Sequence, residues 1–395
     1  MKYAIIIPDG AADLPIAELG GKTPLEAAHT PNMDRIAAMG KVGTVRNVPK
    51  GLYCGSDVAI MSVLGYDPRQ YYTGRAPLEA AAQGLTLAPD ETVFRCNLIT
   101  VVDGLMEDYA AGHISTGEAA ALIGELNRML GGDRVKFHPG VSYRHLMTFK
   151  GDVDVQTTPP HDILGKPVQQ FLPTGKGTDL LRTIIDRSQA ILATHEINTV
   201  RRDLGENPAT SVWLWGQGRM PQLPDFLSRY GVSGAAITAV DLIRGLAKLI
   251  GWTNIEVPGA TGYIDTNYAG KGAAAAAALD KYDLVLVHVE APDEAGHNGN
   301  VDAKVQAIAS IDQHVVGPVL ERLRKEGSDW RILVLPDHPT PCSIRTHTDA
   351  AVPFALAGKR IEAVVGKAFT EKEAAGGDLH IDHGNELMEY FLTVR

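Results

Sequence analysis

The sequence predicts an α/β protein whose central sheet is mostly parallel and covered by helices on both faces, with a smaller α/β or α+β domain inserted in the chain. Apolar runs of strand length recur at residues 3–7, 283–290 and 332–335. Continuous apolar runs are typical of strands that are buried on both faces. Helical patterns lie between these runs, and strands that alternate with helices indicate a parallel sheet.

The first elements follow this alternation. The run at 3–7 stops at Pro8-Asp9-Gly10, so we expect a buried strand that ends at a carboxylate. Thr30 and Pro31 are the residue types preferred at the N-cap and at the first helical position, and they predict that a helix begins there. Residues 41–48 then return as a strand.

The C-terminal half resumes the same rhythm. A helix is predicted at 240–250, a strand at 283–290, and a long helix after Asn300, where apolar residues recur every three or four positions. Pro318 should kink this long helix, because proline has no backbone N–H to donate. Gly327 ends it, and the strand at 332–335 follows.

Chain length and pattern together predict two domains. A chain of 395 residues exceeds the usual size of a single domain. In its middle, short β-like runs and a glycine-rich loop at 216–221 interrupt the alternation. We therefore predict that residues 1–94 and 226–395 form one discontinuous domain, and that residues 95–225 form the inserted domain.

Charge and cysteine content exclude several classes of function. The formal net charge of -10 argues against nucleic acid or an anionic membrane as the main partner. The three cysteines, Cys54, Cys96 and Cys342, are scattered and form no CxxC pair, which indicates a reducing, cytoplasmic compartment. The apolar N-terminal run is too short for a signal peptide, and no stretch approaches the length of a membrane span.

Six residues that are common metal ligands come at or just after predicted strand ends, or in a loop that leads into a strand. In open α/β sheets the ligand lies at the carboxyl ends of the strands. Each residue also has a local alternative, since an aspartate can cap a loop and a histidine can hydrogen-bond nearby. Their arrival at one edge from distant segments favours a shared site. They are Asp9, Asp293, His297, Asp337, His338 and His347.

Ser56 adds a hydroxyl to this set. The segment Gly55-Ser56-Asp57 lies where a loop should turn into a helix, and the free N–H groups and dipole of a helix N-terminus favour an anion. The alternative is that Ser56 or Asp57 is simply the N-cap of the helix.

These seven residues suffice for two divalent metal ions. A natural division gives Asp293, His297 and His347 to one ion, and Asp9, Ser56, Asp337 and His338 to the other. Mixed nitrogen and oxygen ligands suit manganese or zinc, with cobalt also suitable and magnesium less natural. Paired metals stabilise in-line phosphoryl displacement, and a metal-bound serine hydroxyl becomes a nucleophile. The residues therefore predict a two-metal phosphoryl transferase with a phosphoserine intermediate on Ser56.

At this level of detail the chain resembles the archaeal-type, 2,3-bisphosphoglycerate-independent phosphoglycerate mutases of the alkaline phosphatase superfamily. The similarity runs over essentially the whole chain, and segments 73–79, 94–97, 213–218 and 257–267 narrow it to this family. The metal motifs that carry it are Pro8-Asp9-Gly10, Gly55-Ser56-Asp57, the segment 288–297, Pro336-Asp337-His338-Pro-Thr-Pro and Thr346-His347-Thr.

The resemblance implies a function in glycolysis and gluconeogenesis. It implies an alkaline-phosphatase-like three-layer sandwich, and interconversion of 2-phosphoglycerate and 3-phosphoglycerate without added bisphosphoglycerate. It also implies that Ser56 takes the phosphoryl group and returns it to the other hydroxyl. The inserted domain is then expected to close over the glycerate and exclude water.

The inserted domain should supply cations for the substrate carboxylate and an acid or base for its hydroxyls. Longer bacterial and plant mutases carry an Asp-Arg-Asp-type motif there that this sequence does not show. Asp162 can replace it or can be a turn former, and Arg144 and Arg219 can be anion ligands or surface ion-pair partners. The candidates are Asp162 and Arg219 for catalysis, and His113, Arg144, Arg201 and Lys271 for substrate binding.

Other functions remain on the same scaffold. Some bacterial relatives resemble homoserine kinases, and phosphopentomutases share a similar set of metal ligands. A plain phosphohydrolase would result if the inserted domain did not close tightly and water reached the phosphoserine. A metal-dependent phosphate-binding protein is the non-enzyme alternative. The presence of Ser56 disfavours it, because a binding protein has no need of a metal-poised hydroxyl.

Overall fold

The computed structural model describes residues 1–363 and 368–393. The strands are β1 (Lys2–Pro8), β2 (Lys41–Val45), β3 (Glu91–Val102), β4 (Leu105–Asp108), β5 (Val135–Val141), β6 (Arg144–Lys150), β7 (Asp154–Gln156), β8 (Thr174–Lys176), β9 (Ser211–Gly218), β10 (Gly234–Ile237), β11 (Thr253–Asn254), β12 (Leu284–Val289), β13 (Trp330–Val334), β14 (Val352–Gly358) and β15 (Leu379–Ile381). The helices are α1 (Pro24–Ala27), α2 (Pro31–Met39), α3 (Ser56–Val63), α4 (Pro68–Tyr71), α5 (Arg75–Ala82), α6 (Thr116–Leu130), α7 (Thr178–Ala193), α8 (Glu196–Asp203), α9 (Phe226–Tyr230), α10 (Asp241–Leu249), α11 (Tyr268–Ala278), α12 (Ala291–His297), α13 (Val301–Ile311), α14 (Gly317–Arg324), α15 (Glu371–Ala375) and α16 (Asn385–Thr393).

The first unit contains an eight-stranded sheet in the order β11-β10-β12-β1-β13-β14-β2-β15. The central strand β1 is parallel to β12 and to β13, with Ile5 opposite both Leu286 and Leu333. Only β14 is antiparallel to its neighbours β13 and β2, so the other seven strands point the same way. The predicted mostly parallel α/β sheet is therefore confirmed, and seven carboxyl ends meet at one edge.

Helices cover both faces of this sheet, which makes three layers. Ala4 and Ile6 of β1 lie in the core that includes α2, α11, α13 and α14. On the opposite face, the ring of Tyr3 meets Phe391 of α16 edge-to-face at 5.6 Å. Because alternate residues of a strand point to opposite faces, a strand buried by helices on both sides has to be apolar throughout. This explains the unbroken apolar run at 3–7.

The predicted long helix is confirmed in position but is not continuous. A π-helical turn, Asp312–Val316, separates α13 from α14, and Pro318 lies in the first turn of α14. Asp312 of this turn accepts hydrogen bonds from the backbone N–H groups of Met33 at 2.7 Å and of Asn32 at 3.1 Å. Asp312 therefore caps helix α2. Thr30 occupies the predicted N-cap position, but its side chain makes no capping hydrogen bond.

The chain divides into two compact units, residues 1–72 with 222–395 and residues 73–221. The predicted boundaries at 94/95 and 225/226 therefore need correction, chiefly the first. Strand β3 runs unbroken across residue 94, where it pairs with β6 and β9. Helix α5 packs against β3 and β9, so residues 73–94 belong with the inserted unit.

The second unit contains an antiparallel sheet, and helices α6 and α7 pack with it in one hydrophobic core. Strands β4, β3, β6 and β5 lie in that order, β9 also pairs with β3, and β7 and β8 form a separate ribbon. Ser115 and Glu118 form a capping box at the start of α6. Among the described helices, none combines the length and apolar character needed to cross a lipid bilayer.

Arg201 is the main buried cation of the second unit's helical layer. Its side chain is 3 % exposed and forms ion pairs with Glu118 at 3.2 Å and Glu206 at 2.9 Å. It also donates to the carbonyl oxygens of Ala111 at 3.0 Å and Asn207 at 3.1 Å. One guanidinium thus joins α6, α8 and two loops.

Lys304 is a buried cation of the first unit. Its ammonium and the Asp13 carboxylate are both fully buried and lie 2.8 Å apart. The same ammonium donates to the carbonyl oxygen of Thr340 at 2.8 Å, and Asp13 accepts from the N–H of Cys342 at 3.0 Å. This pair therefore fastens the proline-rich loop after β13 to helix α13.

We expect Arg201→Met to destabilise the protein by about 2 kcal/mol, because buried carbonyl oxygens would lose charge-assisted hydrogen bonds. Urea denaturation followed by circular dichroism measures this. The control is Arg202→Met, which alters an exposed neighbour and should change stability by less than about 0.5 kcal/mol. Equal effects of the two substitutions would contradict a structural role for Arg201.

We expect Lys304→Met to cost about 3–5 kcal/mol, because it leaves the Asp13 carboxylate buried without its cation. The shift of the urea midpoint, compared with exposed Lys325→Met, gives the measurement. The double variant Asp13→Asn with Lys304→Met should recover part of the loss, since neither charge is then buried alone. No recovery in the double variant would contradict the ion-pair explanation.

Candidate metal centre

Asp293, His297 and His347 form one cluster at the carboxyl edge of the sheet. Helix α12 begins directly after β12, and positions i and i+4 put Asp293 and His297 on the same face. The Nε2 atoms of His297 and His347 lie 3.3 and 3.4 Å from the two carboxylate oxygens of Asp293, and 2.8 Å from each other. Three potential ligand atoms therefore converge within 4.8 Å.

Backbone carbonyls orient both imidazoles. The Nδ1 atom of His297 lies 3.1 Å from the carbonyl oxygen of Arg345, and that of His347 lies 3.1 Å from the carbonyl oxygen of Cys54. A carbonyl oxygen only accepts hydrogen bonds, so each Nδ1 carries the proton and directs the Nε2 atom at the cluster. This is the usual arrangement around metal-binding histidines.

The Asp293 carboxylate sets the charge of this cluster. Burial acts against ionisation, but hydrogen bonds with His297 and His347 hold the pKa of Asp293 well below its ordinary value. The same hydrogen bond raises the pKa of His297 to about 9. An ionised carboxylate with two imidazoles is a ligand set that binds zinc or manganese.

Asp9, Asp337 and His338 form a second cluster beside the first. One oxygen of Asp9 and one of Asp337 are buried and, among the described residues, have no hydrogen-bond partner. These oxygens lie 3.7 and 3.3 Å from Nε2 of His338. Burial and the Asp337 charge raise the pKa of Asp9 well above its ordinary value.

Two buried carboxylate oxygens without partners fit a bound cation, because an unsatisfied buried acceptor is costly. The predicted division of ligands needs one amendment. Asp293 groups with Asp9 and His338 as well as with His297 and His347, so its carboxylate lies at the junction of the two clusters.

Thr340 determines which nitrogen of His338 is free. Its hydroxyl donates to Asp293, since a carboxylate can only accept. The 3.3 Å contact between Thr340 Oγ1 and His338 Nδ1 is therefore a bond that the imidazole donates. Nε2 of His338 is left with its lone pair, 3.1 Å from Oγ of Ser56.

Ser56 is the first residue of α3, and its side chain does not cap the helix. The N-cap is Gly55, in extended conformation and without a capping side chain. Asp57 accepts hydrogen bonds from its neighbour Val58 and from the hydroxyl of Tyr72. The alternative reading of Ser56 as an N-cap is therefore wrong, and its hydroxyl faces the metal cluster at a helix N-terminus.

Two residues that the sequence pattern did not predict contact the candidate ligands. His288 of β12 donates from Nε2 to Asp9 at 2.8 Å, and burial lowers its pKa to about 3, so it is neutral. Asn47 donates to the carbonyl oxygen of Asp337 at 2.9 Å. A histidine within an otherwise apolar buried strand was the available signal for His288. Asn47 had no such signal.

Lys271, predicted as a substrate ligand, lies behind β12. Its ammonium is buried and donates to the carbonyl oxygen of His288 at 3.1 Å. Burial lowers its pKa to about 8. The cation therefore contacts the backbone of His288, the residue whose side chain donates to Asp9.

In the second unit, aromatic rings connect three of the predicted residues. His113 packs edge-on against Tyr143 at 6.1 Å, and the guanidinium of Arg144 lies 5.9 Å from the same ring. Tyr143 in turn contacts Tyr109. Asp162 adjoins His161, whose ring contacts both Tyr109 and Trp215.

The other two predicted residues of this unit are not part of that group. Arg201 is buried in the ion-pair network described above, and its predicted contact with substrate stays a prediction. Arg219 is exposed, and its carbonyl oxygen accepts a hydrogen bond from Thr73 at 2.6 Å.

Two arginines that sequence analysis did not single out lie beside Trp215. The guanidinium of Arg95 stacks 4.2 Å from its ring and pairs with Glu79 at 3.0 Å. Arg75 pairs with the same carboxylate at 3.3 Å. Burial, together with the charges of Arg75 and Arg144, lowers the pKa of Arg95 to about 10, which indicates that three cations concentrate here.

Comparison with known proteins identifies the family. A family model described as 2,3-bisphosphoglycerate-independent phosphoglycerate mutase matches residues 37–198. A protein of that name from Methanothrix thermoacetophila is 50% identical over 393 residues and covers 100% of both chains. A probable mutase from Geobacter sulfurreducens is 47% identical over 398 residues and covers 99% of this chain and 100% of its own.

Two solved structures are similar to this chain over nearly its whole length. A Pyrococcus horikoshii protein superposes with a TM-score of 0.84 at 30% identity, covering 99% of this chain and 96% of its own. The cofactor-independent phosphoglycerate mutase of Thermoplasma acidophilum gives a TM-score of 0.67 at 26% identity, covering 99% and 100%. With full-length relatives at half identity, this chain belongs to the 2,3-bisphosphoglycerate-independent phosphoglycerate mutase family.

Proposed function

We propose that the protein is a phosphoglycerate mutase that interconverts 2-phosphoglycerate and 3-phosphoglycerate through a phosphoserine on Ser56, with two divalent metal ions and no bisphosphoglycerate. The observation that carries the proposal is the position of the Ser56 hydroxyl. It lies at the N-terminus of α3 and 3.1 Å from His338, beside two carboxylate oxygens that have no partner among the described residues. Full-length relatives bear the name of this mutase.

The two clusters would hold the metal ions. Asp293, His297 and His347 would bind one, and Asp9, Asp337 and His338, together with Ser56, the other. When bound, the ions neutralise the phosphoryl oxygens and lower the pKa of the serine hydroxyl. Manganese suits this mixture of imidazole and carboxylate, with zinc, cobalt and magnesium as alternatives.

The chain's own residues carry two successive transfers. Oγ of Ser56 forms a bond to phosphorus and loses its proton, while the bond from phosphorus to the substrate oxygen breaks. That oxygen keeps the electron pair and takes up a proton, which leaves glycerate. In the second transfer the other glycerate hydroxyl loses its proton and attacks the phosphoserine, and Oγ of Ser56 leaves and is protonated.

The support residues make the first transfer geometrically favourable. Thr340 fixes His338 with the Nε2 lone pair towards Ser56, and His288 holds Asp9 from behind. The free N–H groups of α3 favour the negative charge of a phosphoryl group. Fixed donors and acceptors of this kind need no reorganisation during the reaction.

The contribution of the second unit stays a prediction. We expect Arg144 and His113 to contact the glycerate carboxylate, Arg219 to bind an anionic group of the substrate during catalysis, and Asp162 to move protons. Arg75 is a further candidate for binding the glycerate carboxylate, because it pairs with Glu79 beside Arg95 and adds to the positive charge there. The expected cytoplasmic location likewise stays a prediction.

The proposal predicts turnover of 3-phosphoglycerate to 2-phosphoglycerate with manganese and without bisphosphoglycerate. An enolase-coupled assay that follows phosphoenolpyruvate absorbance measures this. Removal of metal with a chelator should abolish the activity, and manganese should restore it, because the ligand oxygens of Asp9 and Asp337 need a cation. Release of phosphate from p-nitrophenyl phosphate without mutase turnover would instead indicate a phosphohydrolase.

Ser56→Ala should lower turnover by at least about 10⁴-fold, as loss of a catalytic nucleophile does in other enzymes. Metal analysis of the same variant should still find close to two ions per chain, since six other ligands remain. Ser62→Ala, in the same helix and with its hydroxyl buried, is the matched control and should keep activity. Comparable activity in both variants would rule out Ser56 as the nucleophile.

A further inference from the structure

The first unit contains a cavity of about 380 Å³. It is lined by Arg46, Pro49, Lys50, Arg69, Asp382 and His383. None of these residues is among the proposed metal ligands. Three cationic side chains and a histidine share the cavity with a single carboxylate, in a chain whose net charge is -10. Such a local excess of positive charge attracts anions.

The cations of this cavity are not neutralised by close ion pairs. Arg46 donates to a main-chain oxygen, that of Asp349. Arg69 lies 3.8 Å from Asp67, and half of its side chain is exposed. Lys50 is exposed, and within the described part of the chain no ion pair involves it. The positive charge therefore remains available to a ligand.

His383 adds a donor of defined orientation. Its Nδ1 atom lies 3.1 Å from Nη2 of Arg69. A guanidinium only donates, so Nδ1 accepts this bond and a neutral His383 carries its proton on Nε2. Arginine, lysine and imidazole N–H groups together match a tetrahedral oxyanion, and the forked guanidinium is especially suited to phosphate.

Backbone hydrogen bonds join the ends of β2 and β15 that line this cavity. The N–H of Arg46 donates to the carbonyl oxygen of Ile381 at 2.9 Å, and the N–H of Gly384 donates to the carbonyl oxygen of Arg46 at 2.9 Å. Strands β2 and β15 run in the same direction as β1, so the cavity shares the metal centre's edge. Strand β14 separates β2 from β13.

We infer that this cavity is a second anion site, which binds the phosphate dianion of a small phosphorylated metabolite. Its volume lies in the range of small-molecule sites, roughly 300–1,000 Å³, and leaves room for more than a phosphate ion. The inference does not depend on the proposed function, because binding is measured without turnover. The adjoining Asn47 bonds to the main chain of Asp337, which connects the cavity wall to the metal centre.

Equilibrium dialysis of the metal-loaded protein with radiolabelled inorganic phosphate tests the inference. We expect a second class of phosphate sites besides the metal centre. Lys50→Gln with Arg69→Gln should weaken this class at least about tenfold, because two charged donors are lost. Arg324→Gln with Lys325→Gln removes the same charge from exposed positions elsewhere in this unit and should leave it unchanged.

Equal phosphate binding by the two double variants would overturn the inference. Circular dichroism checks that both variants are folded, and tungstate located by anomalous diffraction gives an independent position for the oxyanion. Competition with 3-phosphoglycerate identifies the source of the ligand. Tighter binding of 3-phosphoglycerate than of phosphate at this site indicates a phosphorylated acid, and equal binding indicates free phosphate.

Discussion

The buried carboxylates of Asp9 and Asp337 are the main constraint on the candidate metal centre. Each is buried at the end of a parallel strand, and each keeps one oxygen without a protein partner among the described residues. Such acceptors are costly in a protein interior unless a cation is bound. The surrounding structure tolerates them because β1 and β13 are held side by side by their ladder, so the two carboxylates cannot move apart into water.

A series of buried polar contacts then fixes the remaining ligands. Lys304 with Asp13 secures the loop at 339–342, Thr340 of that loop bonds to Asp293, and the same hydroxyl orients His338. Lys304, Asp13 and Thr340 are not themselves among the proposed metal ligands. Their effect is to hold Nε2 of His338 towards Ser56, and catalytic geometry depends on this kind of support.

The second unit concentrates charge differently. Arg201 pairs with Glu118 and Glu206 and donates to two carbonyl oxygens, so its burial contributes to stability. Arg95 and Arg75 both pair with Glu79, and Arg95 stacks on Trp215. The same residue type therefore joins helices and loops at one position and packs on an aromatic ring at another. This distinction is invisible in sequence, where all of these residues are simply arginines.

The sequence by itself predicted the mostly parallel sheet, and it also singled out the candidate metal ligands and Ser56, because apolar runs that stop at Asp or His record where buried strands end. It predicted the helix start at Thr30 but not that Asp312 caps it, and it placed the domain boundary 22 residues late. Only the tertiary structure decided that Asp293 lies between both clusters, that His288, Thr340 and Asn47 contact the candidate ligands, and that Arg201 is buried in an ion-pair network. These outcomes depend on contacts between residues as much as 290 positions apart, and no local pattern along the chain encodes such distances.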